Sequence, residues 1–433
     1  MERLLTTEVP SHIGHRVRLM GWLHHQRQLS NVTFVLLRDR AGIAQAVIED
    51  DQQRARVGAM RSETVLAISG NVVASTQAPA GAELHGVEIE VIAEPVADLP
   101  IELHRPRLKE QLPTVLDHAA VALRHPLARA KSRLAAASVR GFRHALDELD
   151  FTEIHTPKLV SSATEGGANV FKVDYFGRPA YLAQSPQFYK QTMVGVFERV
   201  YEVGPVFRAE PHDTARHLAE YTSLDVELGF ITDHRDVMVL VRDVVAGMVA
   251  ALASEEQDAL ALLGLQLPAV PEAIPEVGFG DAQRMIEAAT GERVVGEPDL
   301  APAHERWLGD WVAREHGSEL LFVTGYPTAK RPFYTHPRRD APEISNSFDL
   351  LFRGVELATG GQRLHRYDDY VAALNARGID ATPFSSYLDA MRYGMPPHGG
   401  FAIGLERWVA RLTGAANVRE VALFPRDVNR LAP

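Results

Sequence analysis

Two extended segments combine charged and aromatic side chains in a pattern suited to binding a nucleotide. Successive side chains of a strand point to opposite faces, so Arg208 and Glu210 share one face of the first segment. In the second segment, Tyr221 begins a polar face formed by the odd positions of 221–228, and the even positions are mostly apolar. Alternation alone favours an ordinary half-solvated hairpin. An aromatic ring among charges of both signs instead indicates a nucleotide, because arginine can bind phosphate, a ring or guanidinium can stack on a base, and a carboxylate can accept from an exocyclic amine.

A predicted hairpin further along the chain holds two acids. With a two-residue turn at Arg353-Gly354, residues 351 and 356 pair. Asp349 then lies diagonal to Glu356 on the same face, and diagonal neighbours are roughly 7–8 Å apart at Cα. Two acids so placed can share a divalent cation, most often magnesium held together with a nucleotide phosphate. Two solvated acids on an edge hairpin are an equally favoured interpretation.

Two glycine-rich segments complete the set of chemically suggestive residues. The paired glycines Gly360 and Gly361 let a backbone approach a ligand closely, and Arg363 follows within reach of the same site. Residues 398–407 form a glycine-rich strand leading into a helix, whose N-terminus is a natural anion site where Arg407 could hold a phosphate. The segment contains neither a P-loop nor a dinucleotide-binding fingerprint. A tight strand–helix junction would explain its glycines but explains the arginine less well.

Two regions with different patterning must position these side chains. Residues 15–95 contain short apolar runs separated by turn residues, which predicts a small all-β barrel of the OB-fold type. From residue 126, helical segments alternate with strands close enough in sequence to form hairpins, which predicts an α+β domain with a mostly antiparallel sheet flanked by helices. We expect the barrel at 1–103, a hinge at 104–125 and the second domain at 126–433.

Composition and charge narrow the compartments and partners. The chain has 433 residues, no cysteine and a net charge of −11. The absence of cysteine excludes disulfides and thiolate metal sites and predicts a reducing cytoplasm. The negative net charge argues against a nonspecific nucleic-acid binder. Residues 104–143 hold nine Lys and Arg against two acids, which could face a polyanion, although a solvated helix face is the more typical explanation. No run of 18 apolar residues and no signal-peptide pattern occur, so we expect no membrane association.

Three segments together resemble the motifs of the class II aminoacyl-tRNA synthetases. The first is the helix before Phe151 with residues 152–157, which builds a homodimer interface in that family. The second contains Arg208 and Glu210 with the return strand, and the third is Gly-Leu-Glu-Arg at 404–407. An N-terminal OB-fold marks the branch for aspartate, asparagine and lysine. The resemblance covers nearly the whole chain and implies ATP-dependent activation of an amino acid and its transfer to the 3′ end of a tRNA.

The resemblance implies roles for the residues of the nucleotide site. Arg208 would hold the α-phosphate of ATP, Glu210 would read the adenine amine, and Tyr221 would stack on adenine, where the family usually has phenylalanine. His217 and Arg407 would contact the β- and γ-phosphates. The full implied ATP set is Arg208, Glu210, Arg216, His217, Tyr221, Glu356, Gly404 and Arg407, and the implied magnesium ligands are Asp349 and Glu356.

The amino-acid pocket resembles that of the aspartate enzymes. Within 184–191, Gln187 and Lys190 match substrate contacts, and Arg363 matches the arginine that grips the side-chain carboxylate. Two cations favour aspartate over asparagine, because a neutral amide would leave them poorly compensated. Asparaginyl enzymes lack this lysine, and the synthetase-like asparagine synthetases lack the barrel. The implied aspartate set is Glu165, Gln187, Lys190, Asp225 and Arg363, and the implied catalytic residues are Arg208, Arg407 and Lys190.

The barrel residues imply which tRNA is bound. Arg27, Phe34 and Gln45 match positions that contact anticodon bases, although without the resemblance Phe34 would be taken as a core residue. The chain lacks the large domain that typical bacterial aspartate enzymes insert, and so resembles the archaeal type. His24 and Pro79 stand where tRNA-Asp-restricted archaeal enzymes tend to carry tryptophan and lysine. The implied form is nondiscriminating: it also charges tRNA-Asn, and a tRNA-dependent amidotransferase then makes Asn-tRNA-Asn.

Three alternatives stay open on the sequence alone. They are a strictly tRNA-Asp-specific aspartyl-tRNA synthetase, an asparaginyl-tRNA synthetase, and a non-enzymatic OB-fold RNA-binding protein with a degenerate catalytic domain. The intact set Arg208, Glu210, Asp349, Glu356 and Arg407 speaks against the last of these.

Overall fold

A computed structural model describes residues 2–161, 169–211 and 213–433 and divides the chain into two compact units. The first unit is Met1–His125 and the second is Pro126–Pro433. Glu165, which the resemblance assigns to the amino-acid pocket, lies outside the described residues.

The first unit is a closed barrel built on alternating apolar side chains. Its elements are β1 (Arg3–Leu4), β2 (Arg16–Gln28), β3 (Thr33–Arg38), β4 (Ile43–Ile48), α1 (Asp51–Gly58), β5 (Val65–Ala74), β6 (Ala82–Ala93), α2 (Leu112–Asp117) and α3 (Ala119–Ala122). The sheet order is β1-β2-β3-β4-β6-β5, and β2 also pairs with β5, which closes the barrel. Inward side chains such as Leu19, Val35 and Ile68 are buried and fill its interior. The OB-fold prediction is confirmed.

Residues 104–125, which the sequence predicts as a hinge, fold as part of the first unit. They contain α2 and α3, and Ala122 packs with Ile101 and Leu103 in a small apolar cluster. Arg124 Nη1 lies 3.0 Å from the buried carboxylate of Glu63. Apolar packing and this ion pair therefore hold the segment within the barrel unit.

The second unit is built on one large sheet. Its elements are α4 (Pro126–Asp147), β7 (Thr152–Glu153), β8 (Leu159–Val160), β9 (Lys172–Tyr175), β10 (Arg178–Leu182), α5 (Gln187–Phe197), β11 (Arg199–Phe207), β12 (Glu220–Gly229), α6 (His234–Glu255), α7 (Gln257–Leu263), β13 (Glu276–Gly278), α8 (Phe279–Thr290), α9 (Pro302–His316), β14 (Leu320–Thr324), β15 (Ser347–Phe352), β16 (Val355–Gln362), α10 (Tyr367–Ala376), α11 (Ser385–Arg392), β17 (His398–Gly404) and α12 (Leu405–Thr413). The eight-stranded order is β13-β14-β15-β16-β17-β12-β11-β7, and β8, β10 and β9 form a small separate sheet.

Helices cover both faces of the large sheet. Along β14, Leu320 and Phe322 belong to the core cluster that contains α4, α6 and α12, whereas Leu321 and Val323 belong to the cluster that contains α8 and α9. Among the described strands of this sheet, the outermost pairs, β13 with β14 and β11 with β7, are parallel and the inner pairs are antiparallel. The prediction of a mostly antiparallel sheet flanked by helices is confirmed.

Element boundaries match the sequence patterns best where the strands alternate clearly. Strand-like patterns at 199–207, 320–324 and 347–352 predict the bounds of β11, β14 and β15 as observed. For β17 the apolar pattern covers only 402–403, and the rest of the strand lies in the glycine-rich part of the predicted segment 398–407. Its first residues include Gly399 and Gly400, which carry no strand-favouring side chain but allow a close approach. A Cβ on Gly399 would lie 2.7 Å from the carbonyl oxygen of Gly361 on the neighbouring strand.

Helix α6 is long and apolar enough to cross a membrane by length and composition alone. Its side chains Val241, Val244 and Met248 are buried in the core of the second unit, where α6 packs on α4. The apolar character of α6 therefore reflects core packing.

The contact between α4 and α6 gives a stability prediction. A Cβ on Gly141 would lie 2.7 Å from the carbonyl oxygen of Gly247 and 2.8 Å from Cβ of Ala251. We expect Gly141→Ala to push the helices apart and lower the free energy of unfolding by about 1–3 kcal/mol, measured as a lower Tm by circular dichroism. Gly280→Ala, where the nearest atom is an arginine end at 3.6 Å, should leave Tm unchanged or slightly raised. Equal Tm values for the two variants would contradict the close helix contact.

Candidate active site

One cavity of about 550 Å³ in the second unit gathers most of the side chains that the sequence singles out. Its walls include parts of α5, β12, β16, β17 and the loop between β11 and β12. The expected residues that line it are Gln187, Lys190, Arg208, Glu210, Arg216, His217, Tyr221, Glu356, Arg363, Gly404 and Arg407. Asp225 and Asp349 lie behind the wall, and each forms an ion pair with a cation that does line it.

At one end of the cavity, two cations meet two acids in the interior of the protein. Lys190 on α5 is 1% exposed, and its Nζ lies 3.1 Å from Asp225 Oδ1 and 3.3 Å from Glu227 Oε2. The same amino group donates to the carbonyl oxygen of Phe401 at 3.1 Å. Ser223 Oγ donates to the other carboxylate oxygen, Asp225 Oδ2, at 2.5 Å. The lysine is therefore held in one position by strands β12 and β17.

Arg363 is the second cation of this buried set. Its Nε donates to Glu227 Oε1 at 2.9 Å, and its Nη2 donates to the carbonyl oxygen of Gly400 at 3.0 Å. Burial acts to raise the pKa of Glu227, but Arg363 and then Lys190 hold that pKa below its usual value. Two cations and two ionised acids thus give a set with no net charge.

Glu227 is the member of this set that sequence reasoning missed. The alternation along β12 placed it on the same face as Asp225, but no role was assigned to it. Its contact with Arg363 joins residues 136 positions apart in the sequence, so strand alternation could indicate the face but not the partner.

The adenine-binding residues expected from the sequence meet on the loop side of the cavity. The guanidinium carbon of Arg208 lies 5.7 Å from the ring centroid of Tyr221. Glu210 Oε1 lies 4.0 Å from Arg208 Nη1, and Glu210 Oε2 lies 3.8 Å from His217 Nε2. Strand β11 ends at Phe207, so Arg208 and Glu210 are loop residues. The prediction that they share one face of a strand is therefore wrong. They still meet in the cavity because the loop folds over it.

Two ion pairs organise the opposite rim, where phosphates are expected. Arg216 Nη2 lies 2.6 Å from Glu305 Oε2, and the same oxygen accepts from the backbone N–H of Glu356 at 3.1 Å. Arg407 Nη1 lies 3.3 Å from Glu356 Oε1 and donates to the backbone oxygen of Glu356 at 3.0 Å. Glu305 lies on α9 and had no signal in the sequence. Burial raises its pKa, and Arg216 acts against that shift.

The hairpin of β15 and β16 carries the two expected magnesium ligands with a different register from the one predicted. Leu351 pairs with Glu356 as expected, but a bulge then places Asp349 opposite Thr359. Arg331, which the sequence did not single out, donates to Asp349 at 2.9 Å. The simple hairpin register is therefore right at the turn and wrong beyond residue 351.

Of the two expected magnesium ligands, Glu356 lines the cavity, whereas Asp349 is 3% exposed and paired with Arg331. Burial raises the pKa of Asp349 to about 6, Arg331 opposes this shift, and Glu356 adds to it, so the two acids act on each other electrostatically. Within the described residues, no group of three or more His, Cys, Asp or Glu side chains could hold a metal ion. Magnesium commonly takes one or two protein carboxylates and completes its shell with phosphate and water oxygens.

The barrel residues expected to contact RNA divide between its outer face and its interior. Arg27 pairs directly with Phe34 across β2 and β3, and Phe34 is half-buried outside the core cluster. Gln45 belongs to the same outer face and donates to Glu83 at 2.6 Å. Pro79 begins a short 3₁₀ turn, Pro79–Gly81, and is half-buried. Phe34 is thus not the core phenylalanine that the sequence alone would suggest.

His24 differs from the other barrel residues because its ring is enclosed. It occupies a bulge between Leu23 and His25 on β2 and is 6% exposed. Its Nδ1 lies 3.4 Å from Arg38 Nη1, and burial and then Arg38 lower its pKa to about 4. His24, which the resemblance includes among the anticodon-binding residues, is therefore enclosed in the barrel and not on its surface.

Comparison with known families gives two matches that together span most of the chain. Residues 111–428 match the family described as tRNA synthetases class II (D, K and N). Residues 17–96 match the OB-fold nucleic acid binding domain.

Among curated relatives, the chain is 46% identical over 434 residues to a Thermus thermophilus protein named aspartate–tRNA(Asp/Asn) ligase, with 100% of both chains covered. A protein of the same name from Archaeoglobus fulgidus is 41% identical, again with full coverage of both chains. Among solved structures, asparaginyl-tRNA synthetase from Pyrococcus horikoshii with asparaginyl-adenylate aligns with a TM-score of 0.93 at 30% identity, covering 100% of both chains. A putative aspartyl-tRNA synthetase from Leishmania major aligns with a TM-score of 0.89 at 29% identity, covering 100% of this chain and 95% of that one.

The buried charge set gives a prediction about stability. We expect Glu227→Gln to lower the free energy of unfolding by about 3 kcal/mol or more, because it leaves the buried cations Arg363 and Lys190 with one acid between them. Thermal unfolding followed by circular dichroism should show a lower Tm. The control is Glu220→Gln at an exposed position of the same strand, which should change Tm little. A Glu227→Gln protein as stable as the control would refute the charge balance described above.

Proposed function

The chain belongs to the class II aminoacyl-tRNA synthetases of the aspartate, lysine and asparagine group, and from that premise we infer that it is an aspartate–tRNA ligase. It would use ATP to convert L-aspartate to aspartyl-adenylate with release of pyrophosphate, and then transfer the aspartyl group to the 3′ end of a tRNA with release of AMP. The observation that carries the substrate assignment is the pair Lys190 and Arg363, which converge at one end of the cavity. The full-length relatives named aspartate–tRNA(Asp/Asn) ligase support it.

The charge set explains how the pocket could select aspartate. The sequence-based argument that a neutral amide would leave the two cations uncompensated is wrong, because Lys190 and Arg363 are already balanced by Asp225 and Glu227. These acids hold the two side chains in place before substrate arrives. Within the described part of the chain, no hydrogen bond involves Nη1 of Arg363, while its other two nitrogens are engaged. A side-chain carboxylate could accept from this Arg363 donor, whereas the amide nitrogen of asparagine would set its own N–H donors against it.

Adenylation needs positioning and positive charge more than proton transfer. The α-carboxylate of aspartate is itself the nucleophile: its oxygen bonds to the α-phosphorus as the bond to pyrophosphate breaks. Negative charge builds on the pentacoordinate phosphorus, and Arg208, with Arg407 on the phosphate side, could stabilise it without reorganising. Tyr221 and Glu210 would hold the adenine, which keeps the reacting atoms in line. Magnesium held by Asp349 and Glu356 would neutralise charge on the phosphates.

The barrel and the relatives support a wider tRNA range. Both named relatives carry Asp/Asn in their names, and His24 and Pro79 match the relaxed pattern. We propose that the protein charges tRNA-Asn as well as tRNA-Asp, with a tRNA-dependent amidotransferase consuming the Asp-tRNA-Asn. We further propose a cytoplasmic homodimer, in which the first motif, formed by α4 and the edge strand β7, contributes the interface.

The tRNA range is tested by aminoacylation with radiolabelled aspartate on purified tRNA-Asp and tRNA-Asn transcripts. We expect both transcripts to be charged, and a tRNA-Lys transcript to remain uncharged. Charging of tRNA-Asp alone would keep the catalytic assignment but reject the nondiscriminating form. Charging with asparagine in place of aspartate would reject the substrate assignment.

The amino-acid pocket is tested by Lys190→Ala and Arg363→Leu. Each should lower aspartate-dependent ATP–pyrophosphate exchange by about a thousandfold or more, because a cation aimed at the substrate carboxylate is lost. ATP binding, measured by calorimetry, should persist because the adenine and phosphate residues are intact. Arg314→Leu, at an exposed position of α9, is the matched control and should retain exchange. Exchange retained in either pocket variant would show that the pocket is misplaced.

A further inference from the structure

Two histidine rings that have no role assigned so far stack on the surface of the barrel unit. The ring centroids of His25 and His104 are 4.5 Å apart, and the ring planes differ by 13°. His25 is half-buried on β2, and His104 is exposed in the segment that follows the barrel strands. A supporting ring thus lies beneath a second ring that is open to solvent.

Strand pairing fixes where this stack lies. Arg27 is two residues after His25 and therefore on the same face of β2. Arg27 pairs with Phe34, while His25 pairs with Leu36, which in turn pairs with Gln45. His25 therefore lies on the same outer face as Phe34, two residues along the paired strands, and this face carries the expected RNA contacts.

The surroundings of the stack favour a nucleic acid. Arg107 and Lys109 are exposed just beyond His104, and Arg105 is paired with Glu102. Burial, and then the neighbouring His104, lower the pKa of His25. A flat ring supported from below and flanked by surface cations suits a base above the stack and a phosphate backbone alongside it.

We propose that His104, supported from below by His25, is a second base-stacking position of the barrel, which binds the nucleotide next to the one that stacks on Phe34. The proposal rests on the proposed tRNA ligase function and adds a contact to it. Barrels of this type bind unpaired bases on successive aromatic platforms, because every base offers a π-face. The segment that carries His104 is anchored for this role, since Ile101 and Leu103 on its N-terminal side are buried and His125 Nε2 contacts the backbone oxygen of Arg105 at 2.9 Å.

The test uses the full-length protein with a tRNA-Asp transcript. His104→Ala should raise the KM for tRNA about five- to a hundredfold, the range found when a base-stacking ring is removed. His104→Phe, which keeps a flat ring without a charge, should restore most of the affinity. His15→Ala, at an exposed histidine of the same unit, is the matched control and should behave as the parent protein. Aspartate-dependent ATP–pyrophosphate exchange without tRNA should be unchanged in all three variants, and its absence in the parent would reject the proposed function separately.

A fluorescent base identifies the partner of His104 directly. With 2-aminopurine placed at one anticodon-loop position at a time, binding to the parent protein should quench one position that regains fluorescence in His104→Ala. Unchanged tRNA KM in His104→Ala would overturn the proposal. The proposal would also be overturned if His104→Phe bound tRNA as weakly as His104→Ala and if this binding depended less steeply on salt. That result would indicate a phosphate contact and not a stacked base.

Discussion

Mutual neutralisation of Lys190, Arg363, Asp225 and Glu227 is the constraint on which the rest of the second unit depends. Isolated charges at such depth would cost several kcal/mol each, so the four must be brought together by the fold. They come from three parts of the chain: Lys190 from α5, both acids from β12, and Arg363 from the residue that follows β16. Pairing all four ties helix α5 to the central strands of the sheet.

Glycines on the central strands make that arrangement possible. A Cβ on Gly400 would collide with the backbone oxygen of Val226 and with the carboxylate of Glu227. A Cβ on Gly360 would collide with the ring of Phe348. The absence of side chains at these positions lets β16, β17 and β12 approach closely enough for carbonyl oxygens of β17 to accept from Lys190 and Arg363. The glycine-rich segments therefore serve the charged pocket as well as the junction with α12.

At the cavity rim, each arginine is paired with a single acid, and the side chains are more exposed than those of the buried set. Arg216 is paired with Glu305, and Arg407 with Glu356, at side chains that are between 9% and 37% exposed. Such pairs are weaker than the buried set, so phosphate oxygens can compete for the arginines. In the proposed function, the amino-acid pocket is thus built from buried pairs that hold one another, while the phosphate end has more exposed pairs that a nucleotide can replace.

The sequence by itself determined the features that depend on local periodicity. Alternation defined the polar face of β12, the apolar runs defined the barrel, and the turn at 353–354 defined the first pairs of the β15–β16 hairpin. Only the tertiary structure decided the rest, because each remaining feature depends on atoms far apart in the chain. The bulge that moves Asp349 opposite Thr359, the pairing of Glu305 with Arg216 and the enclosure of His24 at its bulge are of this kind. Strand periodicity predicts the face of an element to which a side chain points. Packing between elements that are distant in the sequence determines which residues that side chain contacts.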